Sequence, residues 1–139
     1  MENYTFNFYG KTYELKVENC GALLNDEGKP LIGFEISELL LLLNQSDAIN
    51  FDVEYFDSAC DQCFAGKAEK LKHFRFLEFH FYLFSLGGKY VLSSISKTYE
   101  EGSFNQLAKR GIVDDCYICS VVVCENCSTY YLEIEQCDF

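Results

Sequence analysis

Three pairs of cysteines stand at the spacing C-x-x-C: Cys60 and Cys63, Cys116 and Cys119, Cys124 and Cys127. Such a turn can place both sulfurs on one ion because the chain bends around it, and two turns complete the tetrahedral shell that Zn2+ prefers. With Zn–S near roughly 2.3 Å, two sulfurs on one zinc lie no more than about 4.6 Å apart. The set most local in sequence joins Cys116, Cys119, Cys124 and Cys127. Between its halves stands "SVVV", and β-branched residues resist tight turns and favour an extended path. Over that path Cys119 and Cys124 lie roughly 16 Å apart, too far for their side chains to close. The pairing expected instead is Cys60, Cys63, Cys124 and Cys127 around one Zn2+. Both pairs sit in turn-like sequence, with Asp57, Ser58 and Gly66 around the first and Asn126 and Ser128 beside the second. Each follows a strand-like run, "INFDVEYF" and "YICSVVV". If those strands end at the same edge of a sheet, the turns meet as two knuckles of a zinc-ribbon plan. Neither turn carries the proline or glycine that often follows the second cysteine of a zinc knuckle; Phe64 and Ser128 stand there.

The other thiols are expected to pack as small apolar residues: Cys20, Cys116, Cys119 and Cys137. On a strand Cys116 and Cys119 have opposite parity and face opposite sides. A thiol-based redox protein or sensor using the C-x-x-C pairs is the alternative reading. It needs a thiolate of lowered pKa, at a helix N-terminus or beside a basic group. Here Cys60 and Cys124 follow strands, and their neighbours Asp61 and Glu125 are acidic, which disfavours a thiolate without a metal. His73 and His80, seven residues apart on one strand, also differ in parity and read as surface or sheet residues. Four thiolates leave zinc no open position for catalysis. No catalytic residue is assigned: "LGGKY" lacks the P-loop spacing, no nucleophile elbow is present, and Asp52, Glu54, Glu133 and Glu135 read as solvated strand faces.

The elements that must position the cysteines follow from pattern. In "YTFNFYGKTYELKV" apolar residues alternate on both sides of Gly10-Lys11, which predicts a hairpin with Gly10 at the turn. "ENCGALLNDEGKP" is read as one short helical turn and a loop. "ISELLLLLNQ" is a short helix, with Ser37 as its cap and Glu38 in its first turn. "INFDVEYF" alternates as a strand. "KHFRFLEFHFYLF" is bulky on both faces, which predicts a central strand covered on both sides or by a second subunit. "SLGGKY" turns it back into "YVLSSISKTYE". "GSFNQLAKRG" is a helix opened by a capping box of Ser103 and Gln106 and ended by Gly111. "CYICSVVV" and "STYYLEIE" are the last two strands. The sum is an α+β fold: a mainly antiparallel sheet, two or three short helices and a zinc-ribbon-like pair of knuckles.

The totals agree. The chain has 139 residues, which fits one domain over 1–139 with one core. Hydrophobic residues reach 49% with a single proline, excluding a disordered chain. Aromatics reach 17%, with 13 Phe and 10 Tyr, and such residues suit strands. The formal charge of -11 repels phosphate backbones and anionic lipid, so neither nucleic acid nor a membrane is an expected partner. Four thiolates on Zn2+ would add a net -2 to that -11. The opening "MENYTFNFYG" lacks a basic start and an apolar run, and "ELLLLL" is too short to cross a bilayer. A cytoplasmic location is expected, where reduced thiols point to metal more than to disulfides.

The ordered set "FDVEYF…CDQC", "HFRFLEFHFYLF", "SISKTYE" and "VVVCENC…LEIEQC" resembles a family of small uncharacterised proteins from clostridia and related Firmicutes. The resemblance spans nearly the whole chain, implies a bacterial, cytoplasmic protein and carries no activity to transfer. The residues themselves point to a non-enzymatic role: a zinc-stabilised binding or adaptor module for a protein partner, or a homodimer packing through its aromatic sheet.

Overall fold

A computed structural model of the chain describes residues 3–46, 49–96 and 104–137. The elements in order are β1 (Tyr4–Phe8), β2 (Lys11–Leu15), β3 (Cys20–Leu24), α1 (Ile36–Gln45), β4 (Asp52–Phe56), β5 (Phe74–Leu86), β6 (Lys89–Ser93), α2 (Phe104–Lys109), β7 (Asp115–Cys124) and β8 (Tyr130–Gln136). Strands β3 to β8 form one sheet in the order β3-β8-β7-β5-β4, with β6 also paired to β5. All its ladders are antiparallel except β3 against β8, which is parallel.

The long β5 is central, as its two bulky faces predict. One edge pairs with β7 along most of its length. The other pairs first with β4 and then with β6. Its odd-numbered side is closed: Leu77, Phe81 and Leu83 are buried with Val121 and Val123 of β7 and Leu132 and Ile134 of β8. Helix α1 and the β1–β2 hairpin cover that face, contributing Leu39, Leu40, Leu42 and Leu43, and Tyr13 and Leu15. Phe6 of the hairpin stacks on Phe51 at a centroid distance of 4.2 Å. The even-numbered side is covered at its ends and not in its middle. Phe76 is buried in one small cluster and Phe84 in another, while His80 and Tyr82 between them are exposed.

The β1–β2 hairpin forms as expected, and Tyr9 joins Gly10 in the left-handed region (φ 47° and 81°). Three expectations are corrected. The stretch read as a helical turn is the strand β3, an edge strand specified by its parallel partner β8 rather than by any local pattern. Ser37 does not cap α1: Glu35 holds the cap position with extended backbone and no side-chain hydrogen bond, and Ser37 lies inside the first turn beside Glu38. Burial of the leucine face supplies what the missing cap does not. The strand read in "YVLSSISKTYE" ends at Ser93. Ser103 lies outside the described residues, so the capping box is not placed; Gly111 (φ 73°) does follow the end of α2.

The far end of the sheet is tied by two carboxylates. Asp115 accepts hydrogen bonds from Lys29 Nζ and Gln136 Nε2, both at 2.7 Å, and from the Cys116 N–H at 2.8 Å. Asp26 accepts from the Gln136 N–H at 2.7 Å. Burial pushes the Asp115 carboxyl up, but its donors outweigh burial and hold it below its ordinary 3.8. A folded-state pKa below the unfolded one contributes stability above the ordinary range and loses it as pH falls through the folded value. Asp115→Asn is therefore expected to cost about 1–2 kcal/mol at neutral pH, discounted for the exposed Lys29. The difference from wild type should shrink below about pH 4. Urea unfolding at a series of pH values measures both.

Candidate metal centre

Strands β4 and β7 flank the first half of β5, and both run antiparallel to it. Phe56, the last residue of β4, lies opposite Phe74, and Cys124, the last of β7, lies opposite Phe76. Both chains therefore leave the sheet at the same end of β5. This is the condition on which the cysteine pairing rested. The loop after β4 carries Cys60 and Cys63, and the β7–β8 turn carries Cys127. The ligand sulfurs of Cys60, Cys63, Cys124 and Cys127 all lie within 4.8 Å of one another. Two approaches cross between the loops: Cys60 to Cys127 at 3.7 Å and Cys63 to Cys124 at 3.6 Å. Four sulfurs so gathered can hold a metal ion. Among the described residues no other group of three or more His, Cys, Asp or Glu comes together in this way.

The two loops use one local conformation. The Phe64 N–H donates to the Cys60 carbonyl at 2.9 Å, and the Ser128 N–H donates to the Cys124 carbonyl at 3.0 Å. Phe64 and Ser128 both take positive φ, 54° and 65°. The residue after each second cysteine thus adopts the left-handed backbone that glycine adopts most easily. The sequence disguises this turn because neither residue is glycine.

Around the sulfurs, Phe56, Phe74, Phe76, Val122 and Tyr131 form an apolar wall. Cys60 and Cys124 are buried, while Cys63 is partly exposed. The two acidic neighbours are both engaged. Tyr131 Oη donates to Asp61 Oδ1 at 2.5 Å and lies 3.2 Å from Cys60 Sγ. Glu125 pairs with Arg75 at 2.7 Å. Lys11 Nζ, from the start of β2, donates to the carbonyls of Glu125 at 2.6 Å and Asn126 at 3.2 Å, fastening the hairpin to the second loop. Burial raises the Cys63 thiol, but hydrogen bonds involving the Asn126 side chain, the Ala65 backbone and the neighbouring thiols bring it down to about 7. Burial pushes Cys124 up.

Two residues that sequence reasoning missed shape the site. Gly21 of β3 lies against the Tyr131 ring: a Cβ there would come within 2.5 Å of Tyr131 Cε1. The only local signal was a glycine inside a run that is otherwise strand-compatible. Gly21→Ala must displace a ring whose hydroxyl is held by Asp61 beside Cys60. We expect a loss of about 1–3 kcal/mol from this overpacking. Tyr131→Phe, which keeps the ring, should cost less. Thermal unfolding of the two variants ranks them; equal losses would mean the ring position is unimportant.

The remaining sequence candidates fall elsewhere. Cys119 is fully buried among the core residues of the α1 side, and Cys116 packs with Phe84 and Val113 on the opposite face, so the two do not pair. Cys20 Sγ approaches the Ala22 carbonyl at 3.5 Å. His80 bonds Ser120 Oγ at 2.9 Å and contacts Glu78, and His73 lies 4.0 Å from Asp57. Asp52, Glu54, Glu133 and Glu135 are exposed. Among the described residues no helix is long and apolar enough to cross a membrane. No curated protein and no solved structure matches the chain. A family model does match it, over residues 4–139, and the chain accordingly belongs to the family described as protein of unknown function DUF3785.

Proposed function

We propose that Cys60, Cys63, Cys124 and Cys127 hold one structural Zn2+ as two zinc-ribbon-like knuckles, and that the protein is a non-enzymatic, cytoplasmic binding or adaptor module for a protein partner. The observation that carries the metal reading is the crossed sulfur spacing of 3.6 and 3.7 Å. A tetrahedron with Zn–S near 2.3 Å has sulfur–sulfur edges of about 3.8 Å. An all-thiolate donor set suits zinc and other thiophilic ions. Zinc would tie the loop after β4 to the β7–β8 turn and couple its binding to folding. Four thiolates leave no position for substrate or water, which favours a structural role.

Support for a binding role comes from the surface beside the knuckles. A cleft of about 480 Å³ there is lined by Tyr13, Phe74 and Phe76 with Lys11 and Arg75, and Cys60 and Cys124 reach its wall. Tyr9 at the hairpin tip and Leu71, both exposed, stand on its rim. Its lining mixes these apolar side chains with polar ones, Glu125 and Asn126 among them, and a concave site of mixed character can seat a partner's side chain. A peptide segment of a partner, offering an aromatic or aliphatic side chain, fits these walls.

Native mass spectrometry on protein purified without chelator or metal-binding tag tests the metal. One zinc per chain is the expected result. A metal-free chain whose knuckle thiols oxidise reversibly would replace this reading with the redox alternative.

A further inference from the structure

A second thiol site lies at the other end of the sheet from the knuckles. Cys116 is the second residue of β7, and Cys137 follows the last residue of β8. The β7–β8 register places Tyr117 opposite Gln136, so Cys116 and Cys137 are the next residues facing one another. The Cys137 N–H donates to the Cys116 carbonyl at 2.8 Å, which continues the ladder through them. Directly opposed residues of an antiparallel pair have Cα atoms about 4.5–5.5 Å apart, inside the range of roughly 4.4–6.8 Å that a disulfide spans. The two sulfurs are 2.6 Å apart. That is about 1 Å closer than the neighbouring sulfurs of the metal centre, at 3.6 and 3.7 Å. It is within about 0.6 Å of an S–S bond.

From this juxtaposition we infer that Cys116 and Cys137 are a site of reversible disulfide formation, separate from the metal centre, that exchanges with low-molecular-weight disulfides. Cys137 is the half-exposed member and Cys116 the buried one, so the order of events follows from access. The Cys137 thiolate attacks one sulfur of the external disulfide, whose S–S bond breaks and releases one thiol. Cys116 then gives up its proton and attacks Cys137 Sγ, releasing the second thiol. Two protein thiols are oxidised to one disulfide, one external disulfide is reduced to two thiols, and the two protein protons end on them. Burial holds both protein thiols above their ordinary range. Exchange is therefore slow at neutral pH in both directions, oxidation for want of thiolate and reduction for want of a good leaving group.

The bond would act on the packing around it. Cys116 lies in the cluster of Phe84 and Val113, against which Leu92, Phe104, Leu107 and Cys137 pack. Phe104 and Leu107 belong to α2, so the bond would fasten the end of β8 beneath that helix. The cross-link joins residues 21 apart in the chain, and closing a loop of that size lowers the entropy of the unfolded chain. The expected shift is a rise of roughly 10 °C in the unfolding midpoint.

The test uses the full chain, reduced and then equilibrated with glutathione buffers of graded ratio. Free thiols are then alkylated, and intact mass and peptide mapping are read. The expected result is loss of two hydrogens with a single cross-linked peptide pair containing Cys116 and Cys137, together with the higher midpoint. Cys116→Ser should trap one glutathione on Cys137, because the resolving thiol is gone. Cys137→Ser should leave Cys116 unmodified in the folded state and alkylated only after unfolding. The site is refuted if wild type keeps a glutathione adduct on Cys137 without closing the ring. It is refuted equally if the disulfide forms among Cys60, Cys63, Cys124 and Cys127 instead, or if both thiols stay free at every ratio. Peptide mapping reads Cys116 and Cys137 directly, so failure here and failure of the metal reading are separate outcomes.

Discussion

With the proposed zinc bound at one per chain, Cys60→Ser is expected to lower it to well below half, and to cost on the order of 3–5 kcal/mol of stability. The size follows from position. Cys60 is 2% exposed, and its sulfur stands 3.7 Å from Cys127 and 3.2 Å from Tyr131 Oη. Serine keeps the volume nearly constant but offers a poor, rarely ionised donor. Removing it leaves three thiolates and frees the loop after β4 from the β7–β8 turn. The loss should stop short of complete unfolding, because the core beneath α1 contains none of the four clustered cysteines. Cys20→Ser is the matched control: its sulfur lies 3.5 Å from the Ala22 carbonyl and it packs against the core outside the four-cysteine cluster, so zinc content should not change. Metal analysis and thermal unfolding of the two variants decide the matter. Equal zinc loss in both would sink the ligand assignment.

Leu43→Ala should cost about 2–5 kcal/mol by the opposite route. Leu43 is fully buried on α1 among Leu39, Leu40 and the core of the sheet's odd-numbered face. Truncating it removes apolar contact and leaves a cavity that a closely packed interior relaxes into only partly. The cysteines pack with Phe76 and Val122 on the even-numbered face. The folded variant should therefore bind zinc with unchanged stoichiometry while its denaturant midpoint falls. Together with Cys60→Ser, this separates a loss of stability from a loss of metal. If Leu43→Ala also emptied the site, the knuckles would depend on the core beneath α1 rather than on their own turns.

Most of the strand pattern was legible because apolar alternation is a local consequence of burying one face. The runs around Phe6, Val53, Phe81, Val121 and Leu132 all became strands. The choice among three C-x-x-C pairs was legible for a similar reason. "SVVV" has to be extended, so Cys119 cannot reach Cys124, and Cys116 and Cys119 must face apart. The fourfold set was thus expected from that elimination together with the turn-like sequence around both pairs, on the condition that the two preceding strands end at one edge of the sheet.

What the sequence could not contain is whatever depends on a distant partner. β3 is a strand because β8 offers it an open edge, and nothing in "CGALL" by itself says so. Gly21 matters because the Tyr131 ring presses on it. Phe64 and Ser128 hold left-handed turns usually given to glycine, a conformation set by closure of the two loops rather than by side-chain preference. Cys116 and Cys137 looked like isolated packing residues until the β7–β8 register set them opposite each other. Sequence by itself determined which residues could carry the chemistry and which could not share an ion. Tertiary structure decided which of them meet, because strand register and the common end of β4 and β7 are properties of the whole sheet.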